Sequence, residues 1–510
     1  MYEKYTTSNY GLTSVDLFAP GDAILSCYPI ECCTNCITDG NQSHESEGYH
    51  YLTGTSMATP YVTGVAALIK SLNPSLEPDE IKATILLNVD PIESLNGLCL
   101  TGGLLNAHKA ICDTIEAQTF TGDVNGDGQE DMILSRVIGD KRALTTFLGN
   151  SDGKFSYPIT TQSSWNFIMQ DSAYSGDFNG DDRIDILIHW SNNDGKRQLL
   201  IYLGNIDGTF SEGVNLNSTR YHDPVAYPYS AFVADINGDG KDDFIIHYRH
   251  DNGKRYSIVY KGSSTSPYMI DATTNALEST NNYVATDPVF VGDFNGDGYD
   301  DLLVHWANSS EKRQLLLYKG TANATFETGV TLSSTRNHKA SIFTKFLVSD
   351  VNGDGKDDFV VHWKNSAGKR NNLVYLGTNS PPYLIDATTN ALTSTNSYRE
   401  EDPVLVGDFN GDGYEDMIVY WNSNDEIQLL LYTSKGNSTY NLGINYPSEQ
   451  CYTISSCYVM DVNDDGCDDF VVKWRDQYYV GIYTYLGNSL GSFTEGIQSI
   501  HYVLIPYCIH

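Results

Sequence analysis

Asp293-Phe-Asn-Gly-Asp-Gly-Tyr-Asp-Asp301 is the stretch from which the rest of the chain can be read. Oxygen-bearing side chains stand at its first, third, fifth and ninth positions: Asp293, Asn295, Asp297 and Asp301. Gly298, at the sixth, allows the sharp left-handed turn such a loop needs. Carboxylates crowded this closely repel one another unless a hard cation sits among them. Ca²⁺ takes six to eight oxygens, and four side chains plus the carbonyl of the seventh residue supply such a set.

The stretch recurs six times. The same four positions are Asp123, Asn125, Asp127 and Asp131; Asp177, Asn179, Asp181 and Asp185; Asp235, Asn237, Asp239 and Asp243. They continue as Asp350, Asn352, Asp354 and Asp358; Asp408, Asn410, Asp412 and Asp416; Asp461, Asn463, Asp465 and Asp469. Two copies deviate: Asp182 replaces the sixth-position glycine of the second loop, and Asp464 the fourth-position glycine of the seventh. Successive first aspartates are 54, 58, 58, 57, 58 and 53 residues apart, the period of an array or a closed ring.

Each loop leads into an apolar run, such as Ile186–Trp190 or Leu302–Trp306. A turn follows, such as Asn193-Asp-Gly195 or Asn252-Gly253, then a second apolar run such as Gln314–Tyr318. These are hairpin signals. Flanking strands exclude a helix–loop–helix calcium module. Seven antiparallel units fit a β-propeller, whose closure removes open sheet edges. Ile270–Leu277 returns as Ile385–Leu392, an offset of 115 that points to duplication of a two-blade unit. The loops, with Leu148–Phe155 and Leu203–Phe210 behind two of them, resemble the FG-GAP and VCBS repeats of integrin α-chain propellers and secreted microbial proteins. That resemblance spans nearly all of 118–510 and implies up to one Ca²⁺ per blade.

The chain has 510 residues, 31 basic and 65 acidic, for a net charge of −34. The seven loops hold 29 of the acids, so ligand supply accounts for much of the acidity. Seven bound Ca²⁺ would bring the charge to about −20. This balance argues against nucleic acid and anionic membrane as partners. No apolar run reaches membrane-spanning length. Ten cysteines cluster at the two ends, six between Cys27 and Cys112 and four between Cys451 and Cys508, which suggests local disulfides in an oxidising compartment. Five glycosylation sequons begin at Asn41, Asn217, Asn308, Asn323 and Asn437. An extracellular or cell-surface protein is expected, although the N-terminus carries no export signal.

Residues 1–117 have another texture. Apolar periodicity predicts helices over Val62–Leu72 and Ile81–Asn88, the second begun by Pro78, and a third over Leu104–Ile111. Ahead of the first stands Gly54-Thr-Ser-Met-Ala-Thr-Pro60. A serine between a glycine turn and a helix start faces free backbone N–H groups, good placement for an acyl-transfer nucleophile. Gly54–Leu68, preceded by Ser8-Asn-Tyr-Gly11 and Val15–Gly21, closely resembles the serine motif of subtilisin-like proteases. The resemblance implies that Ser56 is the nucleophile and that its own N–H helps bind the oxyanion. The Asp and His that precede the serine in that family, and most of its parallel sheet, have no counterpart here; His44 and His50 stand in the wrong place and read as surface residues.

The expected fold is therefore multidomain: a partial α/β subtilisin-like domain, residues 1–117, then an all-β seven-bladed propeller, residues 118–510. The expected activity is that of a serine endopeptidase on protein or peptide substrates. The propeller would tether it or take a protein or glycan ligand. A non-catalytic adhesion propeller carrying a protease remnant is the alternative. Trp190, Trp306, Trp363, Trp421 and Trp474 share one repeat position and read as packing between blades. His189, His247, His305 and His362, one residue earlier, read as structural or solvent-facing. The pairs Lys196-Arg197, Lys254-Arg255, Lys312-Arg313 and Lys369-Arg370 read as a solvated face.

Overall fold

Seven loops, each strung between two antiparallel strands, organise the larger of two compact units, Gln118–Asp476 with Val480–Tyr502; the smaller is Met1–Ala117 with Gln477–Tyr479 and Val503–His510. The computed structural model describes residues 4–5, 8–27, 49–72, 78–107, 110, 118–138, 141–166, 171–221, 229–272, 274–337, 344–387, 390–400, 402–423, 426–447, 453–475, 479–494 and 496–503.

In the smaller unit, α1 spans Thr55–Leu72 and α2 spans Pro78–Leu87. Val62, Val65, Ala66 and Ile69 recur at helical spacing and meet Ile81, Ile85, Leu105 and Ala110 in one apolar cluster. α1 starts seven residues before the periodicity does and takes in the serine motif. Its Pro60 lies inside the helix. The third expected helix cannot begin at Leu104, because Gly103–Leu104 pairs as a strand with Asp90–Pro91. Helical geometry starts later, at Ala107 and Ala110, where the Ala110 N–H donates to the Asn106 carbonyl at 3.2 Å. Ahead of α1, β1 (Ile24–Cys27) pairs with β2 (Tyr49–Leu52).

The larger unit is a ring of seven antiparallel blades, six of four strands and the third with Met269–Ile270 added as a fifth. In the fourth, Val289–Gly292, Asp301–Ala307, Lys312–Tyr318 and Val330–Asn337 pair in that order from the inside outward. The inner strands touch in cyclic order, the seventh meeting the first. Strand parity sends alternate residues to opposite neighbours. Leu302, Val304 and Trp306 join the cluster shared with blade three, and Leu303 joins the one shared with blade five. Each aliphatic fully buried this way contributes about 1.5–3 kcal/mol. The ends of the ring share no blade: Met132, Phe147 and Phe155 of the first pack on Met460, Val462, Val471 and Ile482 of the seventh. The Phe155 N–H also donates to Ser499 Oγ at 3.0 Å.

Trp190, Trp306, Trp363 and Trp421 pack half-buried against these clusters and Trp474 is fully buried, the packing role expected of them. The four histidines are buried, so none faces solvent. The Lys-Arg pairs are not a solvated face. Adjacent strand residues point to opposite sides, so one of each pair turns inward; Arg197, Arg255, Arg313 and Arg370 are all buried. Arg197 and Arg313 reach the histidines of their own blades, at 3.3 Å from His189 and 3.2 Å from His305. Arg255 pairs with Asp287 and Arg370 with Asp402, 115 residues apart in the duplicated unit. Cys99, Cys457 and Cys467 are free thiols, so the disulfides expected at the two ends do not include them; the other seven cysteine side chains lie outside the described residues.

Candidate metal centres and nucleophile

Each nine-residue loop folds around its first aspartate. Asp293 accepts N–H bonds from Gly296 at 2.7 Å and Asp297 at 3.2 Å on one oxygen, and from Gly298 at 2.8 Å on the other. The sixth residue must turn left-handed, and Gly298 sits at φ 80°. Asp182 and Asp464, the two deviant residues, adopt φ 62° and 55°. Aspartate tolerates this region better than most side chains, so both loops keep their course.

The ninth aspartate is the first residue of the second strand and is fully buried in all seven blades: Asp131, Asp185, Asp243, Asp301, Asp358, Asp416 and Asp469. Asp301 accepts the Gly320 N–H at 2.9 Å on one oxygen and the Asn295 amide at 2.9 Å on the other. Asn179, Asn237 and Asn410 grip their ninth-position partners likewise, whereas Asn125 and Asn463 turn to the fifth-position Asp127 and Asp465. Asn352 Oδ1 and Asn463 Oδ1 are buried without a hydrogen-bond partner. Side-chain cations rest on four fifth-position carboxylates: Arg183 on Asp181, Lys241 on Asp239, Lys319 on Asp297 and Lys356 on Asp354.

Burial pushes the ninth-position carboxylates far above their usual range. Asp131, Asp243 and Asp301 rise to about 7, and Asp185, Asp358, Asp416 and Asp469 to about 8. The first- and fifth-position charges of the same loop add to this, and the hydrogen bonds oppose it. Among the described residues no three His, Cys, Asp or Glu side chains are gathered as a finished metal cage. The donor set is nonetheless all oxygen, with three carboxylates and an amide per loop, and it is short of positive charge. Those properties fit Ca²⁺ rather than a nitrogen- or sulfur-seeking metal.

The eighth position, which the ligand pattern passes over, does something else. Asp300 donates its N–H to the carbonyl of Asp235, the first residue of the preceding loop, and its carboxylate accepts the Asp235 N–H at 2.9 Å. Asp242 holds Asp177, Asp357 holds Asp293, Asp468 holds Asp408, and Glu130 holds Asp461 across the ring's seam. The backbone half of this pair occurs at all seven joints, including Ile184 to Asp123 and Glu415 to Asp350. The signal was present in the sequence as an acid at position eight in six of seven loops.

Ser56 is exposed in the first turn of α1. Gly54, at φ 154°, makes the turn into the helix, and its carbonyl accepts the N–H groups of Met57 and Ala58. The N–H groups of Thr55 and Ser56 precede any intrahelical partner and point to the helix's positive end. The approach is braced from the side. The Gly54 N–H donates to Gly21 at 2.8 Å, and Thr53 Oγ1 donates to Asp22 at 2.7 Å while accepting the Ala23 N–H at 2.9 Å. No base meets the Ser56 hydroxyl among the described residues. His44 lies outside them, as does the His50 side chain.

The subtilase family model matches residues 3–119. The FG-GAP-like repeat model matches 123–188, 177–246, 293–361, 350–419 and 408–472, more than half of the chain. Over 96 residues the chain is 38% identical to the subtilisin-like protease SBT1.9 of Arabidopsis thaliana, covering 19% of this chain and 12% of that protein. An extracellular protease of Xanthomonas campestris is 33% identical over 160 residues, 31% of this chain and 24% of it. The serine protease AprX of Bacillus subtilis is 36% identical over 104 residues, 20% of this chain and 23% of it. The chain spans a quarter or less of the length of these relatives.

Proposed function

We propose, for a chain that belongs to the FG-GAP-like repeat family and joins it to a subtilase-family segment, that it is the serine-bearing and propeller-bearing part of a secreted subtilisin-like endopeptidase. The observation that carries this is the placement of Ser56, exposed at the start of α1 with the first-turn N–H groups beside it. In that role the Ser56 Oγ attacks a peptide carbonyl, and the Ser56 N–H receives the developing oxyanion. An acyl-enzyme forms as the amine leaves, and water releases it. The base that takes the serine proton must be brought to Ser56, since the described residues place none there.

In the propeller, the first, third, fifth and ninth side chains of each loop would hold Ca²⁺, which supplies the positive charge that the buried ninth carboxylates need. The ion's work is structural, fixing the turn between the inner and second strands. No helix among the described residues is long and apolar enough to cross a membrane. The propeller would then tether the protease or present protein substrates.

A fluorophosphonate probe tests the enzyme reading. Covalent labelling at Ser56, lost in Ser56→Ala, supports it. Absence of labelling, with the genomic frame upstream closed by a stop codon rather than encoding the Asp and His motifs, would favour a binding propeller with a protease remnant. That second reading draws on the lack of a base at Ser56 among the described residues.

A further inference from the structure

We propose that the eighth-position carboxylates couple neighbouring loops, so that the propeller takes up its cations along two arcs of linked sites and not loop by loop. The proposal rests on the Ca²⁺ reading above and concerns how those sites are regulated. Its basis is the reciprocal pair at the blade joints. Asp357 donates its N–H to the Asp293 carbonyl at 3.0 Å and receives the Asp293 N–H at 2.8 Å. Asp357 is chain neighbour to two groups of its own loop, the seventh-position carbonyl of Lys356 and the ninth-position Asp358. A cation that fixes those two fixes Asp357 between them, and Asp357 fixes the backbone of the first ligand residue of the preceding loop.

The joints are built for this contact. A Cβ added to Gly292, just before the fourth loop, would lie 2.3 Å from the Asp357 carboxylate; at Gly176 it would lie 2.6 Å from that of Asp242, and at Gly407 2.5 Å from that of Asp468. At these three joints glycine leaves the space that the neighbour's short carboxylate fills, whereas before the third loop Ala234 stands there and Asp300 still makes the contact. At the seam the residue before the loop is Met460, and there the longer Glu130 makes the contact. Two joints break the series. Ile184 fills the space at Gly122 and offers no acceptor, and at the fifth-to-sixth joint the Glu415 N–H meets the Asp350 carbonyl while its carboxylate turns to Ser349 instead of the Asp350 N–H. One arc therefore runs through blades two to five and the other through blades six, seven and one.

Terbium uptake by the full chain, followed by tyrosine-sensitised luminescence, reads this directly. Tyr299 and Tyr414 occupy the seventh position of loops four and six. The Tyr299 ring also lies against Gly238 of loop three, so in a Tyr414→Phe background an added Asp239→Asn silences that loop and leaves Tyr299 to report loop four. Asp357→Ala changes no ligand of that loop, yet it is expected to weaken Tb³⁺ there about tenfold, the worth of one buried hydrogen bond to a charged acceptor. Asp357→Asn keeps an acceptor for the Asp293 N–H and should stay within about threefold of the parent. An unchanged affinity in Asp357→Ala overturns the coupling. So does an equal loss in both variants, which would make the effect one of charge alone; should Asp357→Ala misfold, Asp357→Leu, which fills the space without an acceptor, is read against the same tenfold expectation. If the parent gives no Tb³⁺ signal at all, and Ca²⁺ does not raise its melting temperature, the metal reading itself fails; Ca²⁺ stabilisation with independent sites would sink the coupling only.

Discussion

Acid should weaken the propeller through two histidines that the ring keeps neutral. His247 and His362 are fully buried, and burial lowers both to about 3. The Arg255 guanidinium adds to the effect at His247. Arg370 and Lys345 add to it at His362, where the 2.6 Å contact from Nδ1 to Asn372 Oδ1 opposes them. In the unfolded chain each titrates near 6.5. Between 6.5 and 3 the unfolded chain therefore binds protons that the native ring does not. The stabilising contribution is complete above 6.5 and is lost as pH falls toward 3. At pH 4.5 the two-unit gap from 6.5 corresponds to about 2.7 kcal/mol per histidine, or roughly 5 kcal/mol for both. The test compares the full chain with the His247→Asn/His362→Asn variant by urea unfolding from pH 7 to 4.5 at fixed free Ca²⁺. Asparagine retains a polar contact to Ser257 and Asn372 and does not titrate. The buried loop aspartates shift in the opposite sense, but they are common to both proteins and cancel in the difference. The variant should gain about 5 kcal/mol relative to the parent over this range. A difference that stays constant to within about 1 kcal/mol would refute the claim that burial holds these rings neutral.

Chelation with EDTA should lower the melting temperature of the propeller, because a loop at a hundredfold excess of Ca²⁺ over its dissociation constant gains about 2.7 kcal/mol; an identical melting curve in EDTA removes the structural role assigned to the ion. Asp402→Ala strands the Arg370 guanidinium in the interior and should cost about 3–5 kcal/mol by chemical denaturation, most of it recovered when Arg370→Met is added. Gly292→Ala should cost distinctly more than Gly298→Ala. Both sit at positive φ, but only the first drives a methyl into the Asp357 carboxylate, while the second meets nothing within 4 Å. Equal losses would mean that the space beside Gly292 is incidental.

What could be read from the sequence was what is local or periodic. Nine residues contain a loop's whole ligand pattern, and a period near 58 exposes the blades because each is one repeat of the same strand order. The tryptophans were legible for the same reason: two residues apart on a strand means the same face, so Trp306 had to follow Leu302 and Val304 inward. The same rule, applied to Lys312-Arg313, would have turned one of the two inside; reading the pair as charge rather than as two strand positions hid the buried arginines. The start of α1 was missed because the serine motif has little apolar periodicity, and the third helix because Gly103 and Leu104 pair with residues twelve and fourteen positions earlier. Ser56 was read as lying ahead of a helix that in fact takes it into its first turn, and a nucleophile is defined by its base, a partner that belongs to no local pattern.

The eighth-position acids show where such a reading stops. Asp300 and Asp301 are adjacent and identical, and a count of acidic residues credits both to the same loop. The chain separates them at the start of the second strand. Asp301 closes its own loop, bound to Gly320 and Asn295, while Asp300 turns to a backbone 65 residues earlier. Of the 29 acids in the loops, six stand at this position, and the carboxylates of five of those accept the first N–H of the neighbouring loop. The acidity of the loops is therefore not all ligand supply; part of it holds the ring together. At the seam, where no peptide bond joins blade seven to blade one, Glu130 makes that contact between the two ends of the repeat array. Closure at this seam therefore draws on an acid of the first loop and on the backbone N–H and carbonyl of the first residue of the seventh.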